Sequence, residues 1–79
     1  MQKKKNPPKM GDLIKAIPGM GPRILWGDAQ GDDVIGYAFP DEIFIVVECN
    51  AGLTSMRVTN TLDGVTGWIS IDCVQKVGL

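Results

Sequence analysis

The sequence predicts an all-β domain, either a sandwich or a barrel. Residues 43–47 are five consecutive apolar residues, all β-branched or aromatic, which suits a buried, pleated strand better than a helix. Short apolar runs alternate with turn signals about every ten residues, as in small sandwiches and barrels. No helical period of useful length is present. The 79 residues are close to the minimum for one self-sufficient core, so we expect a single domain.

The first ten residues are expected to form a disordered basic tail (residues 1–10), with the folded domain over residues 11–79. Four lysines and a Pro-Pro pair lie in this tail, and it contains little that a core could bury. The formal net charge of the chain is -1, so the molecule has no global field that would recruit nucleic acid. Nucleic-acid binding through the tail is therefore not favoured.

The first half of the chain is expected to hold two strands and a strand fragment. Residues 12–17 predict a first strand, which the two prolines and two glycines of residues 18–22 must end. Residues 23–26 form a short apolar island that we interpret as a strand fragment. Three aspartates and two glycines mark residues 27–33 as an exposed loop, and residues 34–38 predict a second strand.

The second half is expected to contain the main strand and three further strands. These four strands are predicted at residues 43–49, 53–59, 68–71 and 74–77. Pro40 presets the backbone of a turn at residues 39–42, just before the main strand. Asp63 and Gly64 are the strongest hairpin signal, because a tight primed turn needs positive φ at both of its central residues.

The absence of histidine narrows the chemistry that this chain can perform. It removes Ser–His and Cys–His nucleophilic pairs, histidine general bases and the commonest transition-metal ligand. We interpret Asp41 and Glu42 as turn residues rather than a general acid and base. The aspartates of residues 27–33 offer oxygen ligands, but they lack the repeated spacing and distal glutamate of a calcium loop. We therefore expect no catalytic residue, no metal site and no cofactor.

The cysteines and the apolar runs bear on the compartment. No stretch approaches the roughly 18 apolar residues that a membrane span needs, and no apolar signal-peptide core follows the basic start. We therefore expect a cytoplasmic protein with no membrane partner. Cys49 and Cys73 are then expected to be reduced and half-buried, packing as small apolar residues. Whether a disulfide bond joins them stays an open question, because the presence of two cysteines alone does not decide it.

The order of short motifs along the chain resembles the bacterial variety of the Src-homology-3 (SH3) family. That family typically shows a V-I-G strand, a polar turn, a V-x-V-L-E-like strand, a lysine-valine strand, an N-G or D-G hairpin and a final G-W-V or G-W-I. The matching segments here are Val34-Ile35-Gly36, Asp41-Glu42, Phe44 to Glu48, Arg57-Val58, Asp63-Gly64 and Gly67-Trp68-Ile69. The resemblance extends over residues 23–77. It implies an SH3-like barrel of five to six short antiparallel strands, a type that recurs as stand-alone proteins in bacteria and tailed phages.

A barrel this small must alternate its residues inward and outward along each strand. Phe44 and Val46 are then expected to point inward. Val58 and Ile69 are expected to be partners on neighbouring strands. Gly67 is expected to permit a close approach or a bend of the chain.

The resemblance does not carry over the ligand site of the eukaryotic members. There, a proline-rich peptide lies on tyrosines, a tryptophan and a proline-tyrosine pair. The positions that match these residues are Leu25, Gly27, Ser55, Ser70 and Cys73. None of them is aromatic, so polyproline docking by that mechanism is not expected.

Two isoleucines stand at positions that face outward in the family pattern and are usually polar there. The apolar side chains of Ile43 and Ile45 would then need cover. One interpretation is that the N-terminal segment folds across them, with Ile14, Met20 or Trp26. The other is that they form a surface for a partner or for self-association.

We therefore expect a non-catalytic interaction module that binds a protein partner or itself as a homo-oligomer. The predicted binding residues are Trp26, Tyr37, Ile43, Ile45 and Trp68. The alternative is a module that binds peptidoglycan or another cell-wall glycan, as in many secreted bacterial relatives. Nucleic-acid binding through the lysine-rich tail is the least favoured of the three hypotheses.

Overall fold

The computed structural model describes residues 7–19, 21–49 and 54–77. Over these residues the protein is all-β, with seven antiparallel strands. The strands are β1 (Leu13–Ala16), β2 (Arg23–Trp26), β3 (Val34–Ala38), β4 (Phe44–Cys49), β5 (Ser55–Asn60), β6 (Thr66–Ser70) and β7 (Val74–Lys76). A short 3-10 helix, Ile71–Cys73, connects β6 to β7 and has no counterpart among the sequence predictions.

The strands form a single sheet in the order β3-β2-β6-β5-β4-β1-β7. Strands β4, β5 and β6 are successive neighbours, and β1 lies between β4 and β7. Within the described residues no ladder joins β3 to β7, so the sheet is open rather than a closed barrel of five or six strands. The count is seven because residues 23–26 form a full strand. This strand pairs with both β3 and β6 and so leaves β3 at the edge.

The sheet is strongly coiled around one core. Nine buried side chains form a single cluster to which all seven strands contribute: Ile14, Leu25, Ala38, Phe44, Val46, Met56, Val58, Ile69 and Val74. A flat sheet of seven strands would separate its two outer strands by about 29 Å. Side chains of the outer strands can share one cluster only if the sheet twists and curls upon itself. The open edges therefore do not prevent a common hydrophobic core.

The inward positions predicted from strand alternation are confirmed. Phe44, Val46, Val58 and Ile69 are each no more than 2% exposed. Val58 and Ile69 lie on neighbouring strands but are diagonal neighbours, because the residue directly opposite Val58 is Gly67. The local period of two in each strand was sufficient to identify the core face.

The turn before the main strand follows its sequence signal. Residues 34–38 form β3 as predicted, and β4 begins at Phe44, one residue later than expected. The Glu42 amide donates to the Phe39 carbonyl at 3.0 Å, and the Phe39 amide donates to Oε1 of Glu42 at 2.9 Å. The Glu42 carboxylate therefore closes this turn.

The hairpin at Asp63 and Gly64 is confirmed, but its turn is not the tight primed type. Gly64 has φ of 78°, and no described non-glycine residue has a positive φ. The connection spans residues 61–65 and is closed by the Gly64 amide, which donates to the Asn60 carbonyl at 2.9 Å. The buried Asn60 side chain also accepts from the Leu62 amide at 2.8 Å. A loop of this length needs left-handed backbone at one position, and glycine supplies it.

The segment before β1 is joined to β4 by backbone bonds. The Gly11 amide donates to the Val46 carbonyl at 2.8 Å, and the Val46 amide donates to the Asp12 carbonyl at 2.9 Å. Of the expected tail, residues 1–6 lie outside the described residues. Within the remainder, the Lys9 amide donates to Oδ2 of Asp12 at 2.9 Å. The tail boundary at residue 10 stays a prediction.

The two cysteines are free thiols at different depths. Cys73 is half-buried and packs against the core, as expected. The expectation that Cys49 is half-buried is wrong. A bulge between Val46 and Glu48 ends the alternation of β4, and the last three residues of the strand are exposed.

Candidate functional site

Two tryptophans face each other on the outer side of the sheet. In β6, Gly67 and Ile69 are buried inward, so Trp68 between them points outward. Trp26 is the direct partner of Trp68 in the β2–β6 register. Both indoles are half-buried. Directly opposed residues in an antiparallel pair project from neighbouring positions, so both indoles belong to the same part of the outer side.

The two tryptophans line one cleft of about 320 Å³. The cleft lies between the sheet and the loop at residues 27–33, which connects β2 to β3. Its polar lining consists of Asp28, Gln30, Thr54, Ser55 and Ser70. Aromatic surface bounded by a few polar groups is the usual composition of a recognition site.

The loop that forms one wall of the cleft is held by its own hydrogen bonds. Oδ1 of Asp28 accepts from the amides of Gly31 and Asp32, each at 2.9 Å. Gly31 has φ of 81°, and a Cβ built on it would lie 3.7 Å from the Trp26 ring. The hydroxyl of Ser55 donates to the Ala29 carbonyl at 3.4 Å. These hydrogen bonds hold the loop in the conformation that forms the cleft wall.

The aspartates of this loop do not assemble into a cation site. Asp28 directs one carboxylate oxygen at two backbone amides. Over residues 7–19, 21–49 and 54–77, no three histidine, cysteine, aspartate or glutamate side chains lie close enough together to hold a metal ion. In this structure Asp28 shapes the cleft wall.

The third predicted aromatic residue, Tyr37, lies beside the tryptophan cleft but does not line it. Tyr37 is opposite Ile24 in the β2–β3 register and is 56% exposed. Ile24 alternates with the buried Leu25, so the Ile24–Tyr37 pair occupies the outer side of the sheet. Trp26 is two residues along the same strand and shares that side. Tyr37 therefore extends the aromatic surface toward the sheet edge.

The two predicted isoleucines, Ile43 and Ile45, lie apart from the aromatic residues of the predicted surface. Ile45 is half-buried between its cross-strand partners Leu13 and Thr59. Thr59 in turn pairs with Thr66 of β6, and their hydroxyl oxygens are 2.8 Å apart. On the side of Ile45 that faces β5 and β6, the neighbouring residues are therefore these two threonines and not Trp68.

Ile43 lies just before β4 and faces a different cavity. This cavity has a volume of about 560 Å³ and is also lined by Phe39, Asp41, Glu42, Thr61 and Leu62. The predicted surface is therefore divided, with the aromatic residues on β2, β3 and β6 and the isoleucines at β4.

Over residues 7–19 and 21–26, the N-terminal segment does not fold across the isoleucines as one interpretation proposed. Leu13 pairs edge to edge with Ile45, so this segment extends the sheet beside β4 rather than crossing its face. Ile14 is buried in the core, and Trp26 pairs with Trp68. Met20 lies outside the described residues.

Two serines, Ser55 and Ser70, both line the cleft. Leu25 does not, because it is buried in the core, and Trp26 takes the outward position instead. Trp26 is among the binding residues predicted from the sequence, whereas nothing local in the sequence indicates that Asp28 and Gln30 reach the same cleft.

Charge near the cleft is mainly negative. Asp28, Asp32 and Asp33 lie in the loop, and among the described residues that line the cleft there is no lysine or arginine. Arg57 lies opposite Trp68 on β5, but it forms an ion pair with Glu48 at 3.6 Å.

The described residues contain no helix with the length and hydrophobicity needed to cross a membrane. No protein-family model, no curated protein and no solved structure matches this chain.

Proposed function

We propose that this chain is a non-catalytic interaction module that binds a protein partner through the cleft that Trp26 and Trp68 line. The observation that carries the proposal is the direct pairing of these two residues on β2 and β6. Tryptophan supplies a large contact area with few rotatable bonds, which is why it is enriched where binding energy concentrates. A wall already fixed by Asp28 lowers the ordering cost of binding.

The architecture we propose is an SH3-like one, opened at one edge. The motif order from residue 23 to residue 77 supports it, as does the shared core of seven short strands. A stand-alone bacterial or phage protein is the origin that this resemblance favours. A cytoplasmic location is part of this proposal, and the free thiols of Cys49 and Cys73 are compatible with a reducing compartment.

A second candidate function is binding of a cell-wall glycan in the same cleft. Indole rings stack on the apolar faces of sugar rings, and Asp28 and Gln30 place a carboxylate and an amide beside them. The protein hypothesis is preferred because the exposed aromatic surface continues past the cleft to Tyr37. A sugar ring would leave that continuation unused.

The proposal is tested by comparing Trp68→Ala with Ile45→Thr in the full chain. Both residues are half-buried on the outer side of the sheet, but only Trp68 lines the cleft. Proteins captured by the immobilised wild type are identified, purified and titrated against each variant. We expect Trp68→Ala to weaken binding by about thirtyfold or more, as for an aromatic anchor, and Ile45→Thr to leave it nearly unchanged. Thermal unfolding of each variant separates lost binding from lost structure.

Two results would contradict the proposal, and a third would identify the partner. Equal binding by the Trp68→Ala variant would exclude the cleft as the site. Retention of the wild type, but not Trp68→Ala, on insoluble peptidoglycan would favour the glycan hypothesis. An increase of mass with concentration in light scattering, abolished by Trp68→Ala, would identify a second copy of the chain as the partner.

A further inference from the structure

A second surface, outside the tryptophan cleft, lies along the free edge of β3. This strand ends the sheet and pairs only with β2 in the described part of the chain. Residues 34–39 carry no charge. Three of their apolar side chains, Val34, Tyr37 and Phe39, are 49%, 56% and 48% exposed. None of residues 34–39 lines the tryptophan cleft.

The two edges of the sheet differ in their protection against pairing. The opposite edge strand, β7, has three residues and ends at Lys76, whose ammonium lies 3.7 Å from the Asp12 carboxylate. Short length and a lysine are common devices that keep an edge strand from adding another strand. β3 is longer and has neither a charge nor a proline. Its register with β2 shifts at Ile35, but residues 36–38 pair with β2 without interruption, so the outer edge of this part of β3 remains available for backbone hydrogen bonds.

Negative charge lies at both ends of this uncharged strand. Asp32 and Asp33 precede β3, and Asp41 and Glu42 follow it. A second copy pairing antiparallel about Gly36 would bring Asp32 of one chain close to Asp41 of the other. Parallel pairing in register would set Asp33 beside its own copy. Like charges placed opposite one another destabilise a strand pair, so either arrangement is unfavourable.

We propose that the β3 edge accepts an added strand from a partner whose extended segment is apolar in the middle and carries lysine or arginine at both ends. Backbone hydrogen bonds to β3 would supply affinity that does not depend on sequence. The basic ends would meet Asp32 and Asp33 at one end and Asp41 and Glu42 at the other. This inference does not rest on the cleft, and either surface can function without the other.

The probe is a synthetic peptide, Lys-Lys-Val-Thr-Val-Thr-Val-Lys-Lys, labelled with a fluorophore and titrated with the full chain. Its matched controls replace the four lysines by glutamates, or methylate the amide nitrogens along one edge. We expect each control to bind at least about tenfold more weakly than the probe. Amide NMR should place the largest shifts on residues 33–39, and Trp68→Ala should not change the affinity.

A charge reversal in the protein gives a second test. Asp41 and Asp72 are both exposed, and neither carboxylate accepts a hydrogen bond from another described residue. Asp41 flanks β3, whereas Asp72 lies in the 3-10 helix. We expect Asp41→Lys to weaken probe binding several-fold and Asp72→Lys to have little effect.

Each of the following outcomes would overturn the proposal. Equal losses for Asp41→Lys and Asp72→Lys would show that the probe responds only to overall charge. Equal binding of the glutamate peptide, full binding of the N-methylated peptide, or shifts centred outside residues 33–39 would exclude strand addition at this edge. Self-association of the wild-type chain, with amide shifts on residues 33–39, would identify a second copy as the occupant.

Discussion

The two sides of strands β4, β5 and β6 differ sharply in solvent exposure, although both sides are formed by alternate residues of the same three strands. On the inner side, Phe44, Val58 and Ile69 are almost completely inaccessible. On the outer side, their sequence neighbours Ile45, Arg57, Thr59 and Trp68 remain partly or largely exposed. The inner side is determined by close packing, which tolerates little change. The outer side is free to carry recognition groups, and the paired tryptophans lie there.

Among the substitutions that test this difference between the two sides, Phe44→Ala is expected to reduce stability most. Phe44 is 1% exposed and belongs to the common core, so its truncation should lower the free energy of unfolding by about 3–5 kcal/mol. The control is Ile45→Ala, one residue along on the outer side, which should cost clearly less. Urea unfolding followed by tryptophan fluorescence measures both. Equal losses would mean that the outer side is packed as tightly as the core.

If the Phe44→Ala variant does not fold, a pair of more conservative substitutions allows the two sides of the sheet to be compared. Phe44→Leu preserves most of the buried volume and should cost about 1–1.5 kcal/mol. The matched outer change, Ile45→Val, removes one methylene from a half-buried side chain and should cost less than Phe44→Leu. The ranking of the two, rather than either value, is the test.

The inner side could be predicted from the sequence because it depends on local alternation. Residues 43–47 identified the central strand, and the inward positions Phe44 and Val46 followed from a period of two. The edge positions could not be predicted in this way. Whether β3 meets β7 depends on how seven strands curl together, and no local pattern in either strand encodes that distance.

A smaller loss of stability is expected for a substitution at Gly67. This residue lies on the inner side of β6, next to β2 and close to Ile35 of β3. A Cβ at this position would lie 2.9 Å from Cδ1 of Ile35 and 3.1 Å from the backbone oxygen of Trp26. The close approach expected at this glycine is therefore present. Gly67→Ala should cost about 1–3 kcal/mol, since the Ile35 side chain can shift but the Trp26 carbonyl is held in the β2–β6 pairing.

A double variant separates these two obstacles. Ile35→Val removes the Cδ1 atom that the added methyl group would meet, so it should relieve part of the loss caused by Gly67→Ala. We expect the two changes together to cost less than the sum of their separate costs in urea unfolding. Strict additivity would show that the clash is with the Trp26 carbonyl alone.

The candidate site, like the sheet edges, could be predicted only in part from the sequence. Trp26 and Trp68 were named from the sequence, but their pairing requires β2 to lie beside β6, and 41 residues separate the two positions in the chain. Which residues of β2 face outward does follow from local alternation: Leu25 lies in the core, so its neighbour Trp26 points to the outer side.

The smallest effect is expected for the ion pair on the outer side, between Arg57 and Glu48. Their charged groups are 3.6 Å apart, and about half of each side chain is exposed, at 49% and 51%. Water and salt screen a pair this exposed, so Glu48→Gln should change the free energy of unfolding by less than about 0.5 kcal/mol. The adjacent inner residue gives the contrast: Val58→Thr places a hydroxyl in a site that is 0% exposed and should cost more than Glu48→Gln. A loss at Glu48→Gln as large as that at Val58→Thr, persisting at high salt, would show that the outer side of β5 contributes to stability as strongly as the core.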